Sequence, residues 1–223
     1  MVIRLCIHLI LTLIFIVSFH QQSPAQVAKL YPVDEADRDP SFFTFRARLL
    51  EAIQKRDTAF IISILSPNVK NGFGGNDGIE EFKKLWRPDH SDSEFWNTMM
   101  KVLALGGTFD GAGRFMAPYT YSKFPDEIDG FTHGAVLGEN VRVRKEPALD
   151  GSVAGTLSYD IVKVVEWGAK QAVANNQNWV LVSLRDGAKG YVAKTYIRSP
   201  IDYRAGFEKR DGRWMLTFFV SGD

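Results

Sequence analysis

The chain has 223 residues, with 27 Lys and Arg against 26 Asp and Glu, and one cysteine. A charge so evenly balanced argues against nucleic acid as a partner, because phosphate binding needs a concentrated basic face. A lone cysteine allows neither an internal disulfide nor a cysteine-built metal site.

The first segment, Met1 to Ala25, carries Arg4, then an apolar run from Leu5 to Phe19, then Ser23-Pro24-Ala25. This predicts a secretory signal peptide over residues 1–25, cleaved before Gln26, with an uncleaved anchor as the alternative. The apolar run falls short of the about 20 residues that a membrane span needs. Arg4 and Cys6 both lie in this segment. The mature chain would therefore be cysteine-free and neutral, periplasmic or secreted, with no stable membrane insertion.

Residues 26–133 read as a helical α+β domain. Asp39-Pro40 supplies a cap and a first-turn proline, and Phe42, Phe45, Leu49, Leu50 and Ile53 recur at helical spacing to about Lys55. Asp57 caps a second helix through Phe60, Ile61 and Ile64, stopped by Ser66-Pro67. A third begins at Asn76 or Asp77, carries Ile79, Phe82 and Trp86 on one face and ends at Pro88. Ser91 and Glu94 have the spacing of a capping box, which predicts a fourth helix to Leu105, closed by Gly106-Gly107. The pattern then turns extended at Phe115 to Tyr121 and at Gly134 to Leu137. The run from Glu51-Ala52-Ile53 through Gly72-Phe73-Gly74-Gly75 to Trp86 resembles the opening of nuclear transport factor 2-like (SnoaL-like) domains, over residues 42–87. That resemblance implies helices packed on a curved sheet around an internal pocket.

Residues 134–200 carry short period-two runs: Val141 and Val143, Val153 and Gly155, Val162 and Val164, Val180 and Val182. Pro147, Asp150-Gly151, Asn175-Asn176 and Asp186-Gly187 punctuate them. Short strands so closely spaced bury a core by curling into a small barrel or sandwich. Val143-Arg144-Lys145-Glu146-Pro147, Gly155-Thr156-Leu157, the tryptophan strand at Trp179 and the closing Gly190-Tyr191-Val192 resemble, in that order, a bacterial SH3 domain. The resemblance implies a five-stranded barrel of an exported cell-envelope protein. At Tyr159-Asp160 the chain departs from the glycine usual in that family, and Asp tolerates left-handed backbone.

Residues 201–223 predict a β-hairpin about Asp211-Gly212, with Trp214, Leu216, Phe218 and Val220 on one face and Met215, Thr217 and Phe219 on the other. A strand apolar on both faces must be covered. The hairpin is therefore expected on the amino-terminal helices, which makes the barrel an insertion. The fold class predicted is α+β, amino-terminal helices with a carboxy-terminal hairpin, plus an all-β SH3-like small barrel.

Chemistry-bearing clusters are few. Asp89 to Glu94 lacks calcium-loop spacing, and Gly72 to Gly78 lacks the Lys-Ser/Thr of a phosphate loop. No G-x-S-x-G is present, and His90 and His133 are the bases left beyond the leader. No catalytic residue, metal site or cofactor is expected. The candidate ligand-binding residues are Trp167, Tyr191 and Tyr196, with Trp179 assigned to the core and Trp167 expected to be the exposed tryptophan. Aromatic side chains give large contact area at low entropy cost. The SH3 resemblance implies peptidoglycan or an envelope protein as partner. The alternative is a small-molecule pocket or enzyme on the nuclear transport factor 2-like unit, with Asp77, Asp110, Arg114 and His133 around it.

Overall fold

The computed structural model describes residues 28–168, 171–172 and 177–222. The expected leader, residues 1–25, lies outside them. Helix α1, Pro40–Lys55, begins where Asp39 accepts hydrogen bonds from the Ser41 and Phe42 amides at 2.7 and 3.1 Å. Helix α2, Thr58–Ser63, is capped in the same way by Asp57, which accepts from the Phe60 amide at 3.0 Å. Ser66-Pro67 does more than stop this helix. It lies within strand β1, Leu65–Lys70, which has a partner on one side only, and proline is tolerated at such an edge.

Helix α3 spans Ile79–Trp86 and α4 spans Phe95–Ala104. The expected Ser91–Glu94 capping box does not form: Glu94 takes the cap position with no side-chain hydrogen bond. The buried hydroxyl of Ser93 donates instead to the Trp86 carbonyl at 2.6 Å, tying the end of α3 to the start of α4. Strands β2, Thr108–Phe109, and β3, Phe115–Ala117, follow. The extended run expected to Tyr121 stops at Pro118, which cannot donate to a ladder, and α5, Tyr119–Ser122, turns the chain away.

The second half continues with β4 (His133–Val136), β5 (Val141–Arg144), β6 (Val153–Leu157), β7 (Ile161–Glu166) and β8 (Gln171–Ala172). It closes with β9 (Gln177–Ser183), β10 (Lys189–Ala193), β11 (Ile197–Arg198), β12 (Arg204–Arg210) and β13 (Arg213–Val220). Among the described residues these strands make two sheets beside the helices, an α+β architecture.

The first sheet runs β1-β13-β12-β3-β2, with β1 parallel to β13 and the other pairs antiparallel. The terminal hairpin thus supplies two of its three inner strands. Helices α1, α3 and α4 cover one face through an aromatic core: Phe42 packs on Phe115 at 4.2 Å and on Trp214 at 4.8 Å between ring centres, and Phe219 on Trp86 at 4.9 Å. The two-sided apolar pattern of β13 has a local cause. Gly206 pairs with Phe218 but Phe207 pairs with Leu216, so Thr217 is an extra, bulged residue. The bulge switches phase, and Trp214, Leu216 and Phe219 all enter the same core.

The second sheet runs β11-β4-β7-β9-β10-β5-β6, with β8 paired to β9. Val136 and Ile197 near one end and Leu157 at the other share one buried cluster with Val143, Val164 and Val182, so the sheet curls around it. In place of the closed barrel expected from the sequence, the end strands β11 and β6 are not hydrogen-bonded to each other. The left-handed residue before β7 is Tyr159, at φ 55°, and not Asp160. Asp160 is buried and accepts from the Ser158 amide at 2.6 Å.

Residues 28–30 stitch the halves together. The Ile161 amide donates to the Ala28 carbonyl at 2.9 Å and the Leu30 amide to the Tyr159 carbonyl at 2.8 Å. Leu30, Tyr119, Ala135 and Ile161 form a small core between the two sheets. No helix among the described residues is long and apolar enough to cross a membrane.

Candidate functional site

A groove of about 1220 Å³ opens between β6 and the strands β7 and β9 of the second sheet. Gly155, Thr156 and Leu157 of β6 line it, with Ser158 of the following turn. Side chains alternate along a strand, so consecutive lining residues mean that β6 meets the groove edge-on, presenting its backbone. Ile161, Val162 and Lys163 of β7, with Leu184, Arg185 and Asp186 after β9, form the opposite wall. Leu157, Ile161, Val162 and Leu184 give it an apolar floor.

Charges of both signs rim this floor. Lys29 Nζ pairs with Asp160 Oδ1 at 2.9 Å and donates to the Ser158 carbonyl at 2.7 Å, which fixes the β6–β7 turn. Asp129 accepts from the Phe131 amide and the Thr132 hydroxyl, both at 2.9 Å, and these bonds hold its carboxyl below the usual range. His133 Nδ1 lies 3.0 Å from Thr132 Oγ1 and 3.1 Å from the Asp129 carbonyl. Glu127, Lys163 and Arg185, all exposed, point no charge at a partner among the described residues. An open strand edge, an apolar floor and unspent charges of both signs suit an extended polypeptide.

The aromatic residues singled out in the sequence do not line this groove. Trp167, expected to be exposed, is half-buried: it packs against the core of the second sheet over Gly134, where a Cβ would fall 2.8 Å from the indole. Lys194 Nζ stands 4.4 Å from its ring centre. Tyr191 is half-buried on β10, opposite Arg144 and Leu181. Tyr196 is 54% exposed, and its carbonyl accepts from the Leu137 amide at 2.9 Å. Trp179 is buried in the core.

The four polar residues considered for a pocket are engaged locally. Asp110 accepts from Arg114 Nε at 2.7 Å across the β2–β3 turn, and Asp77 accepts from the Asn71 amide at 3.2 Å. His133 belongs to the groove rim. Between helices and first sheet, where the resemblance implied a pocket, the aromatic core fills the space with Phe42, Phe95, Phe115, Phe207 and Phe219. Among the described residues no group of three His, Cys, Asp or Glu side chains is placed to hold a metal ion.

The sequence marks β6 as a strand but not as a free edge. Its Val-Ala-Gly-Thr-Leu run reads as one strand among several, and only the strand order makes it an edge. Comparison with protein-family models, curated proteins and solved structures finds no match to this chain.

Proposed function

We propose that this is an exported, non-catalytic binding protein whose second sheet holds an extended cell-wall or envelope polypeptide along the free edge of β6. The leader-like Met1 to Ala25 and the order of motifs resembling bacterial SH3 domains support this reading. The observation that carries it is the contrast between β6 and the other sheet ends. Strands β2 and β11 have two residues each, and β1 contains Pro67. Short edges and edge prolines are how sheets discourage added strands. Strand β6 has five residues, Val-Ala-Gly-Thr-Leu, with neither proline nor charge, and it borders the groove. Its unguarded backbone is equipped to accept another strand.

The test is co-sedimentation of the purified protein with peptidoglycan sacculi, joined to amide hydrogen exchange. Binding should slow exchange across Val153–Leu157 by about tenfold, and Lys163→Glu with Arg185→Glu should weaken sedimentation. The reading fails if neither sacculi nor envelope extracts yield a bound partner, or if binding leaves those amides unchanged.

A further inference from the structure

Two cations and an indole are packed together near β11, apart from the groove lining. Lys194 Nζ stands 4.4 Å from the Trp167 ring centre, and Lys194 makes no ion pair among the described residues. Arg198, four residues on, has a side chain only 12% exposed. It donates to the Tyr203 carbonyl and reaches Asp202 at 3.7 Å, while its buried Nε has no acceptor among the described residues. Two cations thus share one carboxylate, Asp202, which attracts Lys194 from beyond ion-pair distance. Burial pushes the Lys194 ammonium and the Arg198 guanidinium below their ordinary ranges, Asp202 opposes this in both, and Arg198 adds repulsion at Lys194.

A charge removed from water and left unmatched is costly, and a partly buried ammonium with no counter-ion is a place for one. Resting on the polypeptide-binding reading above, we propose that Lys194 and Trp167 form a carboxylate-binding site for the peptide ligand. The Lys194 ammonium meets the carboxylate, the half-buried indole covers the adjoining peptide, and Arg198 behind them raises the local positive potential. At this site only Lys194 and Trp167 touch the ligand, whose extended part lies along β6.

Trp167 also provides the readout, since Trp86, Trp96, Trp179 and Trp214 are buried. Purified protein would be titrated with acetyl-triglycine, with its amide, and with an amide-ended peptide bearing one glutamate, while tryptophan emission is followed. A saturable change with either carboxylate probe, absent with the uncharged amide, is expected. Response to the glutamate peptide assigns a side-chain carboxylate as sufficient, and response to acetyl-triglycine alone assigns a chain end. Lys194→Gln should weaken this binding about tenfold or more, Lys194→Arg should retain most of it, and Phe43→Ala, an exposed position on α1, should leave it unchanged. Equal responses to acid and amide, or undiminished affinity in Lys194→Gln, would overturn the proposal. Sacculi that sediment the Lys194→Gln protein as well as the native one also remove this site, yet leave the polypeptide reading intact. Carboxylate peptides that bind while sacculi and envelope extracts do not would reject the reading and keep the site.

Discussion

The hydroxyl of Tyr119 is buried at the junction of the two sheets without a hydrogen-bond partner among the described residues. Burial, with a smaller contribution from Tyr159, pushes its pKa up to about 12. Because the folded value lies above the unfolded one, stability is undiminished below the ordinary tyrosine range near 10 and declines as pH rises toward 12. An unsatisfied buried hydroxyl is better absent. Tyr119→Phe should therefore stabilise the protein by about 1 kcal/mol in urea unfolding at neutral pH, and should flatten the alkaline decline. An unchanged or lower stability would mean that the hydroxyl is satisfied by bound water. Nothing in the sequence around Tyr119 distinguishes it from Tyr121 two residues on, which is half-buried against Phe218 and Arg204. Its burial depends on Leu30 and Ile161, neighbours distant in the chain.

Among the elements, those governed by local chemistry were readable. Asp39-Pro40 and Asp57 start helices because a short acidic side chain reaches the first free amides, whatever the rest of the chain does. The Ser91–Glu94 box had the right residues but lost to a tertiary bond, Ser93 to Trp86. Strand β1 was hidden because Ser-Pro reads as a breaker unless the strand is known to lie at an edge. Strand β13 reads as apolar on both faces; the bulge at Thr217 brings Phe219 into the core of Trp214 and Leu216, while Phe218 packs against Tyr121. Truncation after Pro200 removes β12 and β13, the partners of both β1 and β3. Such a chain should lose the near-ultraviolet dichroism of its aromatic core and the main thermal transition. Retention of both would show that the helices hold their core without the hairpin.

At the scale of the molecule, the two sheets are coupled through Leu30, which is 5% exposed and packs with Tyr119, Ala135 and Ile161. Leu30→Ala should cost roughly 2–3 kcal/mol, and in calorimetry a single transition should broaden or split as the sheets lose their shared contact. One sharp transition at the native midpoint would assign the coupling elsewhere. The groove could not be read at any smaller scale, because it is a gap between strands whose order only the folded chain defines. The order β1-β13-β12-β3 has one more consequence. The two strands that follow the second sheet, β12 and β13, lie between strands that precede it, β1 on one side and β3 on the other, so the segments on either side are interlocked. A protease that nicks an exposed loop between β4 and β11 would produce two fragments, neither free to leave. The cleaved protein would run as two pieces in denaturant and as one particle in native solution, and separately expressed halves split in that loop would have the means to reassemble.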